Sequence, residues 1–152
     1  MKLEGTYTFE AGREFVWDML QDPEVISSII PGSEQMEEIG ENKYLSVLMV
    51  KVGPVNGRFE GSVELTDLNP PESYTMIMNG KGPAGHVNGT GSVRLEADGD
   101  NTIMHYTGDA QVGGKIAAVG QRLLDVAAKQ LAKQSLKTLA NKIKERIAEG
   151  ES

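Results

Sequence analysis

The residues that could perform acid–base or metal chemistry in this chain are His86, His105 and Asp109. Both histidines fall on the polar side of the strand patterns that contain them. Neither has a second histidine at helical spacing or a cysteine beside it, which disfavours a metal site. Asp109 shares a strand face with His105, and a surface hydrogen bond between them is favoured over catalysis. We therefore predict no catalytic residue and no metal ligand.

Motifs for nucleophilic catalysis and for nucleotide binding are no stronger than the candidates for acid–base or metal chemistry. The chain has no cysteine, and no serine stands in the G-x-S-x-G turn that exposes a nucleophile. Gly80-Lys-Gly-Pro-Ala-Gly85 matches G-x-G-x-x-G, but a dinucleotide site needs a strand followed by a helix. This segment joins two strand patterns and contains Pro83, so it predicts a hairpin. An enzyme is the least favoured class, because no nucleophile, base and orienting group form a set.

The composition narrows the class of protein further. The 152 residues carry a net charge of −7, which argues against nucleic-acid binding. No leader pattern follows Met1 and no apolar run approaches ~18 residues, so we expect a cytoplasmic protein. The length predicts one domain over residues 1–148, followed by a short acidic tail at 149–152.

Strand and helix patterns follow one another in a clear order. Residues 2–10 alternate as a strand, and two short helices follow, the second capped by Asp22 ahead of Pro23. Tight glycine- and proline-rich connectors make the next strands antiparallel. Residues 115–147 then predict one long amphipathic helix. The later strand patterns cover 33–39, 43–52, 55–68, 73–81, 86–97 and 102–112.

Glycine recurs on the inward side of these strands, where it normally weakens a sheet. The glycines either leave space for an apolar molecule between the sheet and the helix, or only permit curvature and close helix docking. Inward tyrosines could bond a ligand carbonyl or simply pack in the core. The residues predicted to face such a ligand are Val55, Phe59, Tyr74, Met76, Met78, Gly80, Val87, Gly89, Gly91, Met104, Tyr106, Leu123, Leu124, Ala127 and Leu131.

Positive charge is concentrated in residues 115–147, which hold eight Lys or Arg and two acidic residues. Lys129, Lys133 and Lys137 lie roughly opposite the early apolar side of this helix. They form either a solvated face or a contact for anionic lipid or an acidic partner. Beyond Leu131 the apolar stripe drifts, which predicts a helix end that leaves the sheet and meets another surface: the protein's own flank, a second copy, the oxidoreductase or the membrane. Of this stripe, we assign Leu139 and Ile143 to contact with a membrane or partner. The residues of the drifting stripe are Leu136, Leu139, Ile143 and Ile147.

Several segments, each weak alone, occur together in a characteristic order. They are Ile30-Pro-Gly32, Val52-Gly-Pro-Val55 with Gly57-Arg-Phe59 and Gly61, Gly80 to Gly85, Gly89-Thr-Gly-Ser-Val93, and Val112 to Asp125. Together they resemble the CoxG family of carbon monoxide dehydrogenase subunits, within the START-like, or SRPBCC (Bet v 1-like), superfamily. The resemblance implies an α+β helix-grip fold, in which a curved seven-stranded antiparallel sheet wraps around the C-terminal helix.

The same resemblance implies an apolar ligand and an accessory role to a molybdenum-containing carbon monoxide dehydrogenase or a related oxidoreductase, at or near the membrane. From this redox association we hypothesise a bound membrane quinone such as menaquinone, carried between the bilayer and the enzyme. The alternative is an adaptor or assembly factor that recruits the oxidoreductase and has a filled interior. A bound ligand would distinguish these two classes.

Overall fold

The computed structural model describes residues 2–30 and 32–150; Pro31 and the last two residues of the predicted tail lie outside this range. One antiparallel sheet has the strand order β1-β7-β6-β5-β4-β3-β2. With two short helices after β1 and a long C-terminal helix, it confirms the predicted helix-grip architecture. The elements are β1 (Lys2–Phe9), α1 (Arg13–Gln21), α2 (Pro23–Ile29), β2 (Ser33–Gly40), β3 (Lys43–Val52), β4 (Val55–Asn69), β5 (Ser73–Gly82), β6 (Gly85–Asp98), β7 (Asn101–Gly113), a 3₁₀ helix (Lys115–Val119) and α3 (Gln121–Ala148).

The alternation of β4 shows how the sequence produces the two faces of the sheet. Phe59, Val63 and Leu65 are buried on the concave face, whereas Arg58 and Glu60 point to solvent. Each strand pairs with its neighbour in antiparallel register, for example Val63 opposite Met78 on β5. Side chains at alternate positions therefore share a face across the whole sheet.

Asp22 organises the junction between α1 and α2. Its carboxylate accepts a hydrogen bond from the backbone N–H of Glu24 at 2.9 Å, and Pro23 occupies the first position of α2, which confirms the predicted cap. The Nη2 atom of Arg146 donates to the other carboxylate oxygen of Asp22 at 3.2 Å. This partly buried ion pair connects the end of α3 to the short helices.

The long helix begins six residues later than the sequence pattern predicted. Residues 115–119 form a 3₁₀ helix, and Gly120 has φ +98°, a conformation that L side chains rarely adopt. The chain changes direction there before α3 begins at Gln121. The prediction of one continuous helix from residue 115 was therefore wrong, because the amphipathic pattern runs through a glycine that interrupts the helix.

The prediction that Leu139 and Ile143 contact a membrane or a partner was also wrong. Leu139 and Ile143 are 1% and 2% exposed and belong to the larger hydrophobic core, with Leu136 half-buried against it. The apolar stripe drifts because α3 changes its packing partner along its length: its C-terminal half contacts α2, whose Val25 and Ile26 join the same core. Leu139 and Ile143 are therefore not available to a membrane or a partner.

Replacing Leu139 by Ala should lower the free energy of unfolding by about 2–5 kcal/mol, because the truncation leaves a cavity in a close-packed core. Ile147, which is exposed and one helical turn beyond Ile143, is the matched control: Ile147→Ala should change stability by less than about 1 kcal/mol. Urea unfolding measures both. Equal, small changes in the free energy of unfolding for the two variants would contradict the assignment of Leu139 to the core.

Candidate ligand-binding site

The buried side chains form two separate hydrophobic clusters, one near each end of α3. The larger cluster packs the C-terminal half of α3 against α1, α2 and one end of the sheet. The smaller cluster contains Val52, Phe59, Ala84, Ile116 and Leu124, and closes the other end. A stretch of concave sheet and the middle of α3 lie between them.

Apolar side chains in this middle region remain exposed to solvent. Met78 is 41% exposed, although it lies on the concave face opposite the buried Val63. Leu131 is 44% exposed, although it lies seven residues, or about two turns, after the buried Leu124 and so on nearly the same side of α3. Among the strands, β1 and β3 make the most extensive close backbone contacts with α3. We call the space marked by Met78, Gly89 and Leu131 the central groove.

The inward glycines divide into two groups with different physical roles. A β-carbon on Gly61 would lie 2.7 Å from the carbonyl oxygen of Asn79, so the close approach of β4 to β5 requires glycine there. A β-carbon on Gly89 would lie 3.5 Å from the Cβ atom of Ala110 and 3.8 Å from the Cε atom of Met78, which are ordinary contacts. Thus glycine at position 61 permits the close approach of two curved strands. At position 89 a larger side chain would fit, and glycine leaves the concave surface there without one. The packing interpretation therefore holds at Gly61, and space for an apolar molecule beside Gly89 stays a prediction.

The structure distributes the fifteen predicted ligand-binding residues over three places. In or beside the smaller cluster are Val55, Phe59, Val87, Leu123, Leu124 and Ala127. In or beside the larger cluster are Tyr74, Met76, Met104 and Tyr106. On the remaining concave surface and the middle of α3 are Met78, Gly80, Gly89, Gly91 and Leu131. The first two sets belong to the two clusters, and the third lies on the concave surface and the helix between them.

Two tyrosines have a pKa raised above the ordinary value. Tyr74 is buried in the larger cluster, where its ring meets Trp17 edge-on at a centroid distance of 5.5 Å, and burial raises its pKa. Burial, and then the charges of Glu38 and Asp22, raise the pKa of Tyr44. Both phenols stay protonated near neutral pH and can act as hydrogen-bond donors.

The two histidines lie on the outer face of the sheet, as the alternation predicted. The Nε2 atom of His105 lies 2.8 Å from a carboxylate oxygen of Glu96 on the neighbouring strand. Sequence reasoning considered Asp109 on the same strand and missed Glu96, because a cross-strand partner is known only once the register is known. Within residues 2–30 and 32–150, no three His, Asp or Glu side chains come together in a way that could hold a metal ion.

Further depressions lie outside the central groove. Two are open concavities of about 700 and 740 Å³ on the outer face of the sheet, where many of the lining side chains are polar or charged, such as Glu60, Lys81 and Arg94. Another, about 330 Å³, lies between β1 and α3, and we call it the side cavity. It is lined by Lys2, Leu3, Glu4, Tyr106, Lys129 and Lys133.

A curved antiparallel sheet of seven strands with a long C-terminal helix and two short helices defines a START-like domain. The model of the CoxG family of carbon monoxide dehydrogenase subunits matches residues 5–144, and the chain belongs to that family. A comparison with curated proteins found no match. Within the described part of the chain, no helix has the length and apolar character needed to cross a membrane.

Solved structures support the same fold. A conserved protein from Geobacillus kaustophilus is 35% identical, with a TM-score of 0.92 over 96% of this chain and 97% of that one. The Zhui aromatase/cyclase from Streptomyces sp. R1128 is 20% identical, with a TM-score of 0.73 over 100% and 99% of the two chains. A START superfamily protein from Mycobacterium smegmatis is 10% identical, with a TM-score of 0.73 over 95% and 97%. At these low identities the last two establish the fold alone.

The two glycine roles predict opposite responses to an added methyl group. Gly61→Ala should lower the free energy of unfolding by about 1–3 kcal/mol, because the new Cβ atom meets a backbone oxygen that cannot move independently. Gly89→Ala, the matched control on the same face, should be neutral or stabilising by up to about 1 kcal/mol. Urea denaturation distinguishes the cases. Comparable losses at both sites would show that all these glycines serve packing.

Tyr74 should make the stability of the fold depend on alkaline pH. Because burial raises the pKa of Tyr74 above its ordinary value of 10.0, the folded state keeps a proton that the unfolded chain releases. Its contribution to stability is complete below pH 10 and decreases as the pH rises above that value. Tyr74→Phe should therefore lose stability less steeply above pH 10 than the parent. If chemical denaturation showed that the free energies of unfolding of the parent and of Tyr74→Phe decrease equally above pH 10, the role of Tyr74 would be contradicted.

Proposed function

We propose that this protein is a non-enzymatic accessory protein that binds an elongated apolar molecule in the central groove. The ligand we infer is a membrane quinone of the menaquinone type, passed between the bilayer and a carbon monoxide dehydrogenase or related oxidoreductase. The setting we propose is the cytoplasm, with peripheral contact at the inner face of the membrane. The observation that carries the proposal is the exposure of inward-facing Met78 and Leu131 between two separate cores.

Apolar burial supplies the physical reason for binding. An isoprenoid chain is insoluble in water, and covering apolar surface contributes roughly 25 cal/mol per Å² removed from solvent. Met78 is unbranched and can adapt to a flexible chain. The two clusters close the groove at its ends, so an elongated molecule would lie between β5 and the middle of α3. The protein's own fold leaves this surface uncovered.

The chemistry of the groove favours carriage over catalysis. Its floor and roof are formed by glycine, methionine and leucine, none of which transfers protons or attacks a substrate. Both histidines lie on the opposite face of the sheet. The aromatase/cyclase with this fold shows that the fold can host an enzyme, but the described groove residues supply no nucleophile with a general base. Family membership supports the accessory role and the redox partner.

The direct test is a titration of the purified protein with a short-chain menaquinone, beside mass spectrometry of its lipid extract. The parent should bind saturably. Gly89→Val should weaken binding at least about tenfold with no loss of stability, because a branched side chain suits a strand but would occupy the groove.

Thr90→Val is the matched control, since Thr90 is the next residue of β6 and points to the outer face. It should bind like the parent. No bound or binding isoprenoid across several quinones would overturn the carrier proposal and favour the adaptor. Equal binding by Gly89→Val would place the ligand elsewhere.

A further inference from the structure

The side cavity combines positive charge with apolar lining. Lys2 on β1 and Lys129 and Lys133 on α3 surround it, with Glu4 as the acid among the described lining residues. Its formal charge is therefore +2, from three lysines and one glutamate, in a chain of net charge −7. Leu3 supplies an aliphatic wall and Tyr106 an aromatic one. A site with these walls fits an anion that carries an apolar chain.

The three lysines are available to a ligand. The ion pairs between side chains in the described part of the chain engage Lys43, Arg58, His105, Lys142 and Arg146, and none of them engages a lysine of the side cavity. All three lysines are exposed. An external anion can therefore bind them without displacing an ion-pair partner among the described residues.

Tyr106 connects the side cavity to the concave face of the sheet. Tyr106 pairs with Gly5 on β1, and its ring covers that glycine: a β-carbon on Gly5 would lie 2.6 Å from the tyrosine hydroxyl oxygen. Two residues farther along β7, Gly108 continues the same concave face opposite Gly91. The side cavity thus lies where the edge strand and α3 approach each other, on the flank of the space that the groove occupies.

We propose that the side cavity binds the phosphate head group of an anionic phospholipid at a bilayer surface. This inference rests on the proposed carrier function, because the bound lipid would orient the groove toward the membrane that holds the cargo. The net charge of −7 makes most orientations of the protein at an anionic surface unfavourable. Binding at the side cavity would therefore select the orientation in which this cavity faces the bilayer. Tyrosine is favoured at the interface between head groups and acyl chains, which matches Tyr106. The cavity volume of about 330 Å³ suits a head group, not a whole lipid.

The experiment measures cosedimentation of the full chain with phosphatidylcholine vesicles containing or lacking phosphatidylglycerol, at low ionic strength. Lys2→Gln, Lys129→Gln and Lys133→Gln should each weaken binding to the anionic vesicles about fivefold, equivalent to about 1 kcal/mol per lysine. Lys129→Arg, which keeps the charge, should retain most of the binding. Lys137→Gln is the matched control, because Lys137 is exposed on α3 one turn beyond Lys133, and it should have a clearly smaller effect.

The outcomes separate the alternatives. Equal losses of vesicle binding for Lys129→Gln and Lys137→Gln would overturn the proposal, because binding would then depend on the general positive charge of α3 and not on the side cavity. Binding of inorganic phosphate with the same affinity as the vesicles would overturn the lipid source. Loss of oxidoreductase capture with unchanged vesicle binding would overturn it in favour of a protein partner. The lysine variants should bind quinone in the absence of vesicles as the parent does. If the parent itself bound no quinone, that result would count against the carrier function and not against lipid binding at the side cavity.

Discussion

At Gly61 the strands β4 and β5 approach so closely that a β-carbon would lie 2.7 Å from the carbonyl oxygen of Asn79. Such an approach is possible only without a side chain, and it accompanies the curvature of the sheet. In this curved sheet, α3 makes its most extensive close backbone contacts with β1 and β3. Large side chains form the two cores near the ends of α3, and glycines such as Gly89 lie on the concave face between them.

This arrangement separates the stabilising contacts of α3 from the part of the helix where we propose that the ligand binds. The C-terminal half of α3 buries Leu139 and Ile143 in the larger core. The first turns bury Leu124 in the smaller core. Leu131 lies between them and remains exposed, so it contributes little to the stability of the empty protein and can contribute to the binding of a ligand.

Much of the architecture could be predicted from sequence, because strict alternation in β4 and the Asp22-Pro23 cap report local geometry directly. The helix start was missed since Gly120 interrupts the helix within an apolar pattern. The environment of Leu139 was predicted wrongly for a different reason. Periodicity shows that α3 has an apolar stripe, but the element that packs on this part of the stripe is α2, more than 100 residues away in the sequence. For the site, sequence predicted which residues face inward. Which of them are covered depends on the distance between α3 and the sheet, which no local pattern contains.

The central claim is that an apolar ligand occupies the concave face between the two cores. Methionine methyl resonances test it directly, because Met78 and Met49 are 41% and 43% exposed but lie on opposite faces of the sheet. In an NMR titration of the [¹³C-methyl]methionine-labelled protein with a short-chain menaquinone, the Met78 resonance should shift saturably and the Met49 resonance should not. An unchanged Met78 resonance, or equal shifts of both, would contradict the account.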